Sequence, residues 1–160
     1  MEKRRPRLGA AENPMGRPGP DSPGFLLNQA SLAVNRTLDR ALADSGITVT
    51  GAQWAIISLL ESEQADTASD LAKHLGTDVA ATWRIVERLV AKGFIEKIED
   101  PEDARVKLLA LTTEARKRFA DWEAIVARTT QSIMTGLSTK DVAVLIKALQ
   151  TITDNARNVD

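Results

Sequence analysis

Two short predicted helices followed by a hairpin, all within residues 67–111, leave few folds open to this chain. A helix-capping sequence, TASD, lies at 67–70, and Gly76 ends the short helix that it opens. A second helix is predicted over 78–92, and Gly93 stops it. Two short helices joined by a glycine turn are typical of a helix-turn-helix, whose second helix enters the major groove of DNA.

A β-hairpin is predicted directly after the second helix. The segment 94–99 is β-prone and partly alternates, and 105–111 is predicted to be the return strand. The turn between them contains Pro101, which presets φ at the second turn position. A helix-turn-helix followed by a hairpin is a winged helix, which we place at 50–111.

Amphipathic helices are predicted on both sides of this unit. Apolar residues at helical spacing occupy 25–43, and a T-x-x-Q capping box at 50–53 opens the next helix. After the hairpin, a seven-residue apolar repeat follows the cap Thr112, and a further cap at Ser138 opens the last helix. The fold class is therefore mainly α with a small β-hairpin.

Composition excludes several classes of protein. The 160 residues include no cysteine, and His74 is the single histidine, so thiol chemistry and a histidine-rich metal site are absent. No nucleophile–base pair, phosphate-binding loop or metal-ligand spacing supports the alternative of a small enzyme, and we expect no cofactor. No apolar run reaches the ~20 residues of a membrane span. No apolar segment follows the charged N-terminus, so we expect a cytoplasmic protein without a signal peptide.

The N-terminus differs from the rest of the chain. Five of the six prolines lie at or before Pro23, and Lys/Arg outnumber Asp/Glu five to three in 1–23. We predict a flexible basic tail at 1–24, ahead of a single domain at 25–160. The tail either contacts DNA phosphates or is an inert leader. The net charge of −1 does not favour nucleic acid, so that hypothesis depends on pattern.

The second helix of the helix-turn-helix has a candidate DNA face. We expect its buried face to contain Val79, Thr82 or Trp83, Val86, and Leu89 or Val90. The opposite face carries Thr77, Ala81, Arg84 and Arg88. Arg84 is placed to reach a guanine edge or a phosphate. The alternative is an amphipathic helix with solvated arginines. The wing turn is acidic and would be repelled by phosphates unless Arg105 and Lys107 dominate the contact.

The wing and the helix before it resemble the MarR (multiple antibiotic resistance regulator) family. The resemblance is carried by LVAKGFIEK at 89–97, DPEDAR at 100–105 and LT at 111–112. The family pattern is approximately R-L-x-x-x-G-hydrophobic-hydrophobic-x-R, then D-P-x-D-x-R, then L-T. Element order and length agree over about 25–159. The resemblance implies a homodimer whose terminal helices, here at 25–46 and 112–160, interleave.

The resemblance also implies site residues. Arg84 matches the arginine of the recognition helix, and Arg105 matches the wing arginine that reaches the minor groove or its phosphates. Asp103 matches the wing aspartate that orients this arginine through a charge-assisted hydrogen bond. The residues expected to contact DNA are Ser69, Thr77, Asp78, Ala81, Thr82, Arg84, Arg88, Arg105 and Lys107.

Some positions depart from the family pattern. Ala104 and Lys97 stand where many members have arginine, and Glu114 and Ala115 replace a common glycine. Trp83 occupies a position usually held by a small polar residue. Two interpretations of Trp83 stay open: contact with a thymine methyl group, or packing in the core.

Many members of the family bind a small aromatic anion or phenol between the dimer helices and the winged domain. Binding there shifts the spacing of the two recognition helices. The candidate ligand-binding residues are Asn28, Ser31, Asn35, Arg36, Trp54, Ile57 and His74. The alternatives are a solvated polar stripe on the first helix, core packing of Trp54, and a surface or capping role for His74.

We therefore predict a transcriptional regulator that binds a pseudo-palindromic double-stranded operator as a homodimer. The favoured hypothesis is a repressor released by an aromatic carboxylate or phenol. The alternatives are a ligand-independent or activating regulator, a winged-helix protein-interaction module, and a purely structural helical dimer.

Overall fold

A computed structural model describes residues 19–103 and 105–158. Six helices and a two-stranded antiparallel hairpin lie in this part of the chain, in the predicted order. They are α1 (Pro23–Asp44), α2 (Gly51–Glu61), α3 (Ala68–Leu75), α4 (Val79–Ala91), β1 (Ile95–Glu99), β2 (Lys107–Leu111), α5 (Thr113–Ile133) and α6 (Thr139–Arg157). None of the described helices is long and apolar enough to cross a bilayer.

The predicted tail overlaps the first helix. Ser22 caps α1 by accepting a hydrogen bond from the Phe25 amide at 3.4 Å, and Pro23 is the first helical residue, where its missing N–H removes no helical bond. The end predicted for the tail, residue 24, is therefore two residues too late. Residues 1–18 of the tail, Ala104 and the last two residues of the chain lie outside the described residues.

Side-chain caps explain where the helices begin. In α2, the Gln53 amide donates to the Thr50 hydroxyl at 3.3 Å, and the Gln53 side chain accepts from the Thr50 amide at 3.2 Å, which completes the predicted capping box. Asp78 caps α4 by accepting from the Ala81 amide at 2.7 Å. The C-terminal end of α3 is set by Gly76, which adopts φ 65°, a left-handed conformation that favours glycine.

The apolar core lies between α2, α3, α4, the hairpin and the first half of α5. Leu71, Val86, Leu89 and Ile95 are each at most 2% exposed in it. Trp122 of α5 closes the core and packs in a T-shaped arrangement with Phe94, with 5.0 Å between the ring centroids. This packing holds the helix-turn-helix, the hairpin and the base of α5 together as one unit.

The predicted buried face of α4 is mostly confirmed. Thr82, Val86 and Leu89 are buried, and Trp83 and Val90 are partly buried against the core. The prediction for Val79 was wrong, since its side chain is 48% exposed. Val79 is the first residue of α4, where the helix projects beyond the packed core.

The terminal helices carry apolar surface that the single chain does not bury. α1 packs along α5, but no described residue of α6 is buried. The exposed large apolar residues of α1 and α6 are Phe25, Leu26, Leu32, Val144, Ile146, Leu149 and Ile152. A group of this size on a small protein indicates an interaction surface.

Candidate nucleic-acid interface

The outer face of α4 begins at the Gly76 turn and carries two arginines. Thr77, Asp78, Arg84 and Arg88 are exposed, and Ala81 is half-buried. Arg84 and Arg88 are one helical turn apart, so their side chains lie on the same face. Among the described residues, neither arginine forms a salt bridge. This face therefore has small side chains where the helix begins, and it carries two arginines that form no salt bridge among the described residues.

Thr82 does not belong to this face, and its predicted contact with DNA was wrong. Its side chain is 0% exposed, and its hydroxyl shares a 2.8 Å hydrogen bond with the hydroxyl of Thr77. Thr82 precedes Val86 by four residues and Leu89 by seven, so it shares their inward stripe. The buried hydroxyl is tolerated there because Thr77 satisfies it.

The tip of the hairpin is a compact turn organised by aspartates. The Asp100 carboxylate accepts hydrogen bonds from the amides of Glu102 at 2.7 Å and Asp103 at 3.2 Å. The guanidinium of Arg105 donates two parallel hydrogen bonds to the Asp103 carboxylate, from Nε to Oδ1 at 3.0 Å and from Nη2 to Oδ2 at 3.1 Å. The Arg105 side chain remains 90% exposed. This two-point pair limits the directions in which the arginine projects.

The second cation of the wing is also paired. Lys107 and Glu99 lie directly opposite each other in the register, and Lys107 Nζ bonds Glu99 Oε1 at 2.7 Å. Hydrogen bonds from Lys107 and Arg105 hold the pKa values of Glu99 and Asp103 below their ordinary range. Two of the four acids in the wing turn are therefore neutralised locally.

Acidification is expected to weaken the wing turn and the beginning of α6. The Asp141 carboxylate, which accepts from Ser138, also has a lowered pKa. A carboxylate with a lowered folded-state pKa contributes stability above its unfolded-state pKa, and that stability is lost as the pH falls through the folded-state value. Thermal unfolding between pH 7 and about pH 3 measures this loss. Asp103→Asn/Asp141→Asn should show a smaller acid-induced decrease in Tm than the wild type, and an equal decrease would contradict this explanation.

A groove of about 440 Å³ joins α3, α4 and the wing. Residues 67–69 at the beginning of α3, Trp83 of α4 and residues 105–107 of the wing line it. It thus brings together three of the predicted DNA contacts, Ser69, Arg105 and Lys107. The Leu109 amide in β2 donates to the Asp66 carbonyl at 2.7 Å, which ties the hairpin to the loop before α3.

Trp83 and Lys97 have a contact that the sequence analysis missed. Lys97 Nζ lies 5.0 Å from the centroid of the Trp83 ring and 2.5 Å from Glu87 Oε1. The spacing of Trp83 and Glu87, one helical turn apart, was visible in the sequence. Nothing in the sequence indicated that Lys97 of β1 would lie against both.

The candidate ligand-binding residues fall into different environments. Asn28, Ser31, Asn35 and Arg36 are exposed along α1, and His74 is exposed at the end of α3. Ile57 is 0% exposed inside the core, so its predicted role as a cleft wall was wrong. The side chain one turn earlier, Trp54, is partly buried and stacks on Phe119 with centroids 5.1 Å apart. Core packing therefore accounts for much of the Trp54 surface.

Comparisons with known proteins converge on one family. The MarR family model matches residues 49–107. The multiple antibiotic resistance protein MarR of Escherichia coli is 35% identical over 82 residues, which cover 50% of this chain and 57% of that protein. The chain thus spans just over half the length of this curated relative.

Solved structures match over more of the chain. A mutant of E. coli MarR in complex with operator DNA has a TM-score of 0.72 at 27% identity, over 81% of this chain and 91% of that one. Bordetella bronchiseptica BpsR, whose DNA binding is regulated by 6-hydroxynicotinic acid, has a TM-score of 0.77 at 25% identity, over 86% and 97%. The transcriptional regulator PA3341 has a TM-score of 0.72 at 30% identity, over 85% and 98%.

The winged helix with its flanking helices, the family model and the solved structures agree. The chain belongs to the MarR family.

Proposed function

We propose that this chain is a transcriptional regulator that binds double-stranded DNA specifically, with α4 in the major groove and the wing at the adjacent minor groove. The observation that carries the proposal is the set of exposed cations on these two elements. Arg84 and Arg88 project from α4, and Arg105 projects from the wing turn. A helix fits the width of the major groove, and a bidentate arginine is the commonest specific reader of guanine.

Ion pairs within the wing reduce the repulsion between its acidic turn and DNA. The acidic turn would repel phosphates, but Asp103 and Glu99 are each paired with a cation of the wing. Ser69 and the backbone amides at the beginning of α3 can donate to a phosphate beside the groove that Arg105 and Lys107 line. The similarity to E. coli MarR, which was solved in complex with operator DNA, supports this arrangement.

The protein acts as a homodimer in this proposal. In a single chain, the apolar side chains of α6 are not buried, and α1 carries further exposed apolar residues. A second copy would bury both surfaces and would place two copies of α4 about one turn of the duplex apart. The operator is then pseudo-palindromic, since its symmetry mirrors that of the dimer.

We further propose that the regulator is a repressor released by an aromatic carboxylate or phenol. The regulation of BpsR by 6-hydroxynicotinic acid, a hydroxylated aromatic carboxylic acid, supports this ligand class. Such a ligand releases DNA only if it binds the DNA-free conformation more tightly than the bound one. Arg36 on α1 is exposed and can pair with a carboxylate.

A mobility-shift titration with the DNA upstream of the protein's own gene, at two salt concentrations, tests the proposed DNA binding. We expect a complex that resists competitor DNA and weakens steeply with salt. Absence of a specific complex, both with this DNA and with DNA selected from a random pool, would contradict the proposal and would favour a protein partner.

Calorimetry with a panel of substituted benzoates and phenols tests the effector. We expect at least one compound to release heat on binding and to dissociate the complex between protein and operator. If no compound binds and none releases DNA, this ligand class is wrong, although DNA binding itself still stands.

The substitution Thr82→Val tests the assignment of Thr82 to the core. It removes the hydrogen bond to Thr77 while nearly preserving the shape of the side chain, so we expect a loss of about 1 kcal/mol in the free energy of unfolding. Affinity for the operator should not change, because the side chain is buried. Denaturant unfolding and a binding titration measure the two effects. A variant that is stable but binds DNA weakly would contradict the assignment to the core and would show that Thr82 contributes to DNA binding.

A further inference from the structure

We propose that Trp83 and Lys97 form a clamp that fixes the wing relative to α4, which makes Trp83 a positioning residue for the Arg105 contact with DNA. The inference rests on the proposed DNA binding. Trp83 departs from the family pattern, so the argument depends on the contacts that this chain makes.

The clamp holds one ammonium group between two side chains of α4. Lys97 Nζ lies 5.0 Å from the centroid of the Trp83 ring, within the range of a cation–π interaction, for which tryptophan is the best ring. The same Nζ bonds Glu87 Oε1 at 2.5 Å. Trp83 and Glu87 are one turn apart on α4, so Lys97 is held from two directions along the helix.

The hairpin presents Lys97 to α4 because of its register. Residues that lie directly opposite each other in an antiparallel pair point to the same face. On the face that Lys97 shares, Ile95 pairs with Leu111, Lys97 with Leu109 and Glu99 with Lys107. Ile95, Leu111 and Leu109 are buried. This face therefore changes from core to charged surface along the hairpin, and Lys97 is the last anchor before the turn that carries Arg105.

Trp83 also lies next to the groove that leads to Arg105. Part of the Trp83 side chain packs against the core, and Trp83 also lines the groove with residues 67–69 and 105–107. The second tie of the hairpin, from the Leu109 amide to the Asp66 carbonyl, holds β2 to the loop before α3. The hairpin is thus held on the α3 side by its backbone and on the α4 side by the Lys97 clamp.

This arrangement couples the two predicted DNA contacts. Arg84 follows Trp83 directly on α4, whereas Arg105 lies beyond the clamp in the wing. Without the clamp, the base of the hairpin keeps its buried contacts with α4 and its tie to Asp66. It loses the outermost contact with α4 before the turn, so Arg105 samples more positions when α4 is seated in the major groove. An arginine without a fixed position contributes less to binding, because ordering it opposes the gain from the contact.

A double-mutant cycle measures this coupling. In the wild-type dimer, Arg105→Ala removes two copies of the contact and should weaken operator binding about 10-fold. This is less than for Arg84→Ala, because a contact with the minor groove or its phosphates positions the protein more than it reads a base. In Trp83→Leu, the same Arg105→Ala change should weaken binding by about 2-fold or less, because the contribution of the arginine is already mostly lost. Arg84→Ala should weaken binding equally in both backgrounds, since its position on α4 does not depend on the clamp.

Two further variants separate the clamp from a loss of folding. Lys97→Met removes the ammonium group without changing the core and should reproduce the effect of Trp83→Leu. Lys117→Met makes the same substitution at an exposed lysine of α5, away from the wing, and should leave the effect of Arg105→Ala at about 10-fold.

The outcomes are distinct. If Arg105→Ala has its full effect in both Trp83→Leu and Lys97→Met, the clamp does not position the wing and the inference is wrong. A loss of binding that is additive with Arg105→Ala and occurs only in Trp83→Leu would show that the ring itself contacts DNA. If the wild-type chain forms no specific complex in the same assay, the proposed function fails and the inference fails with it.

Discussion

Replacing both Leu149 and Ile152 with glutamate is expected to make the protein monomeric and to weaken operator binding about 1,000-fold. The two side chains lie one turn apart on α6 and are 39% and 43% exposed in the single chain. A dimer interface that buries them would have to bury two carboxylates per subunit without partners. The monomer then contacts one half-site, so its affinity approaches that of non-specific binding.

Sedimentation and a mobility-shift titration measure the two effects of this double substitution. The winged domain should remain folded, because no described residue of α6 is buried in it. Ala143→Glu/Thr151→Glu is the matched control, since it adds the same charges to exposed positions on the other side of α6. A Leu149→Glu/Ile152→Glu variant that remains dimeric would show that the interface lies elsewhere.

Arg84→Ala is expected to have the second large effect, a loss of about 2–6 kcal/mol in operator affinity for a dimer that carries two copies. The expected mechanism is loss of a guanine contact, so discrimination at one base pair in each half-site should relax as well. Arg105→Ala should have a smaller effect. It should also reduce the salt dependence of binding if its partner is a phosphate.

Binding titrations with the operator and with single-base variants of it separate these two roles. Arg128→Ala, which removes an exposed arginine from α5, is the control and should change operator affinity little. A uniform loss of affinity for all sequences in Arg84→Ala would show that Arg84 contacts the backbone. An Arg84→Ala protein that is dimeric and binds the operator normally would contradict the proposal that α4 lies in the major groove.

Local sequence was sufficient to predict most of the secondary structure. Thr50, Thr67, Thr112 and Ser138 cap α2, α3, α5 and α6 as predicted, because a cap depends on a hydrogen bond between residues three positions apart. The hairpin lies where it was predicted: β1 begins one residue later and β2 two residues later than expected, and both strands end at the predicted residue. Asp103 and Arg105 form the hydrogen-bonded pair that the wing sequence implied, since both lie in the same tight turn.

Residues that are distant in sequence, or at the end of a helix, were harder to place. Helical periodicity put Val79 on the buried stripe, but the core does not extend to the first residue of α4. Thr82 was predicted both for the buried face of α4 and as a DNA contact, because periodicity alone does not show that Thr77 satisfies its hydroxyl. Ile57 was assigned to a cleft, whereas packing between α2 and its neighbours encloses it completely.

The sequence by itself determined the order of the elements, their caps and the chemistry of the wing turn, because these depend on neighbours within a few residues. Only the tertiary structure decided that Lys97 lies against Trp83 and Glu87, and that residues 67–69 and 105–107 line one groove. It also showed that α6 has no buried residue in the single chain. The physical reason is that burial and charge pairing depend on which surfaces meet, and segments separated by tens of residues meet only when the core has formed.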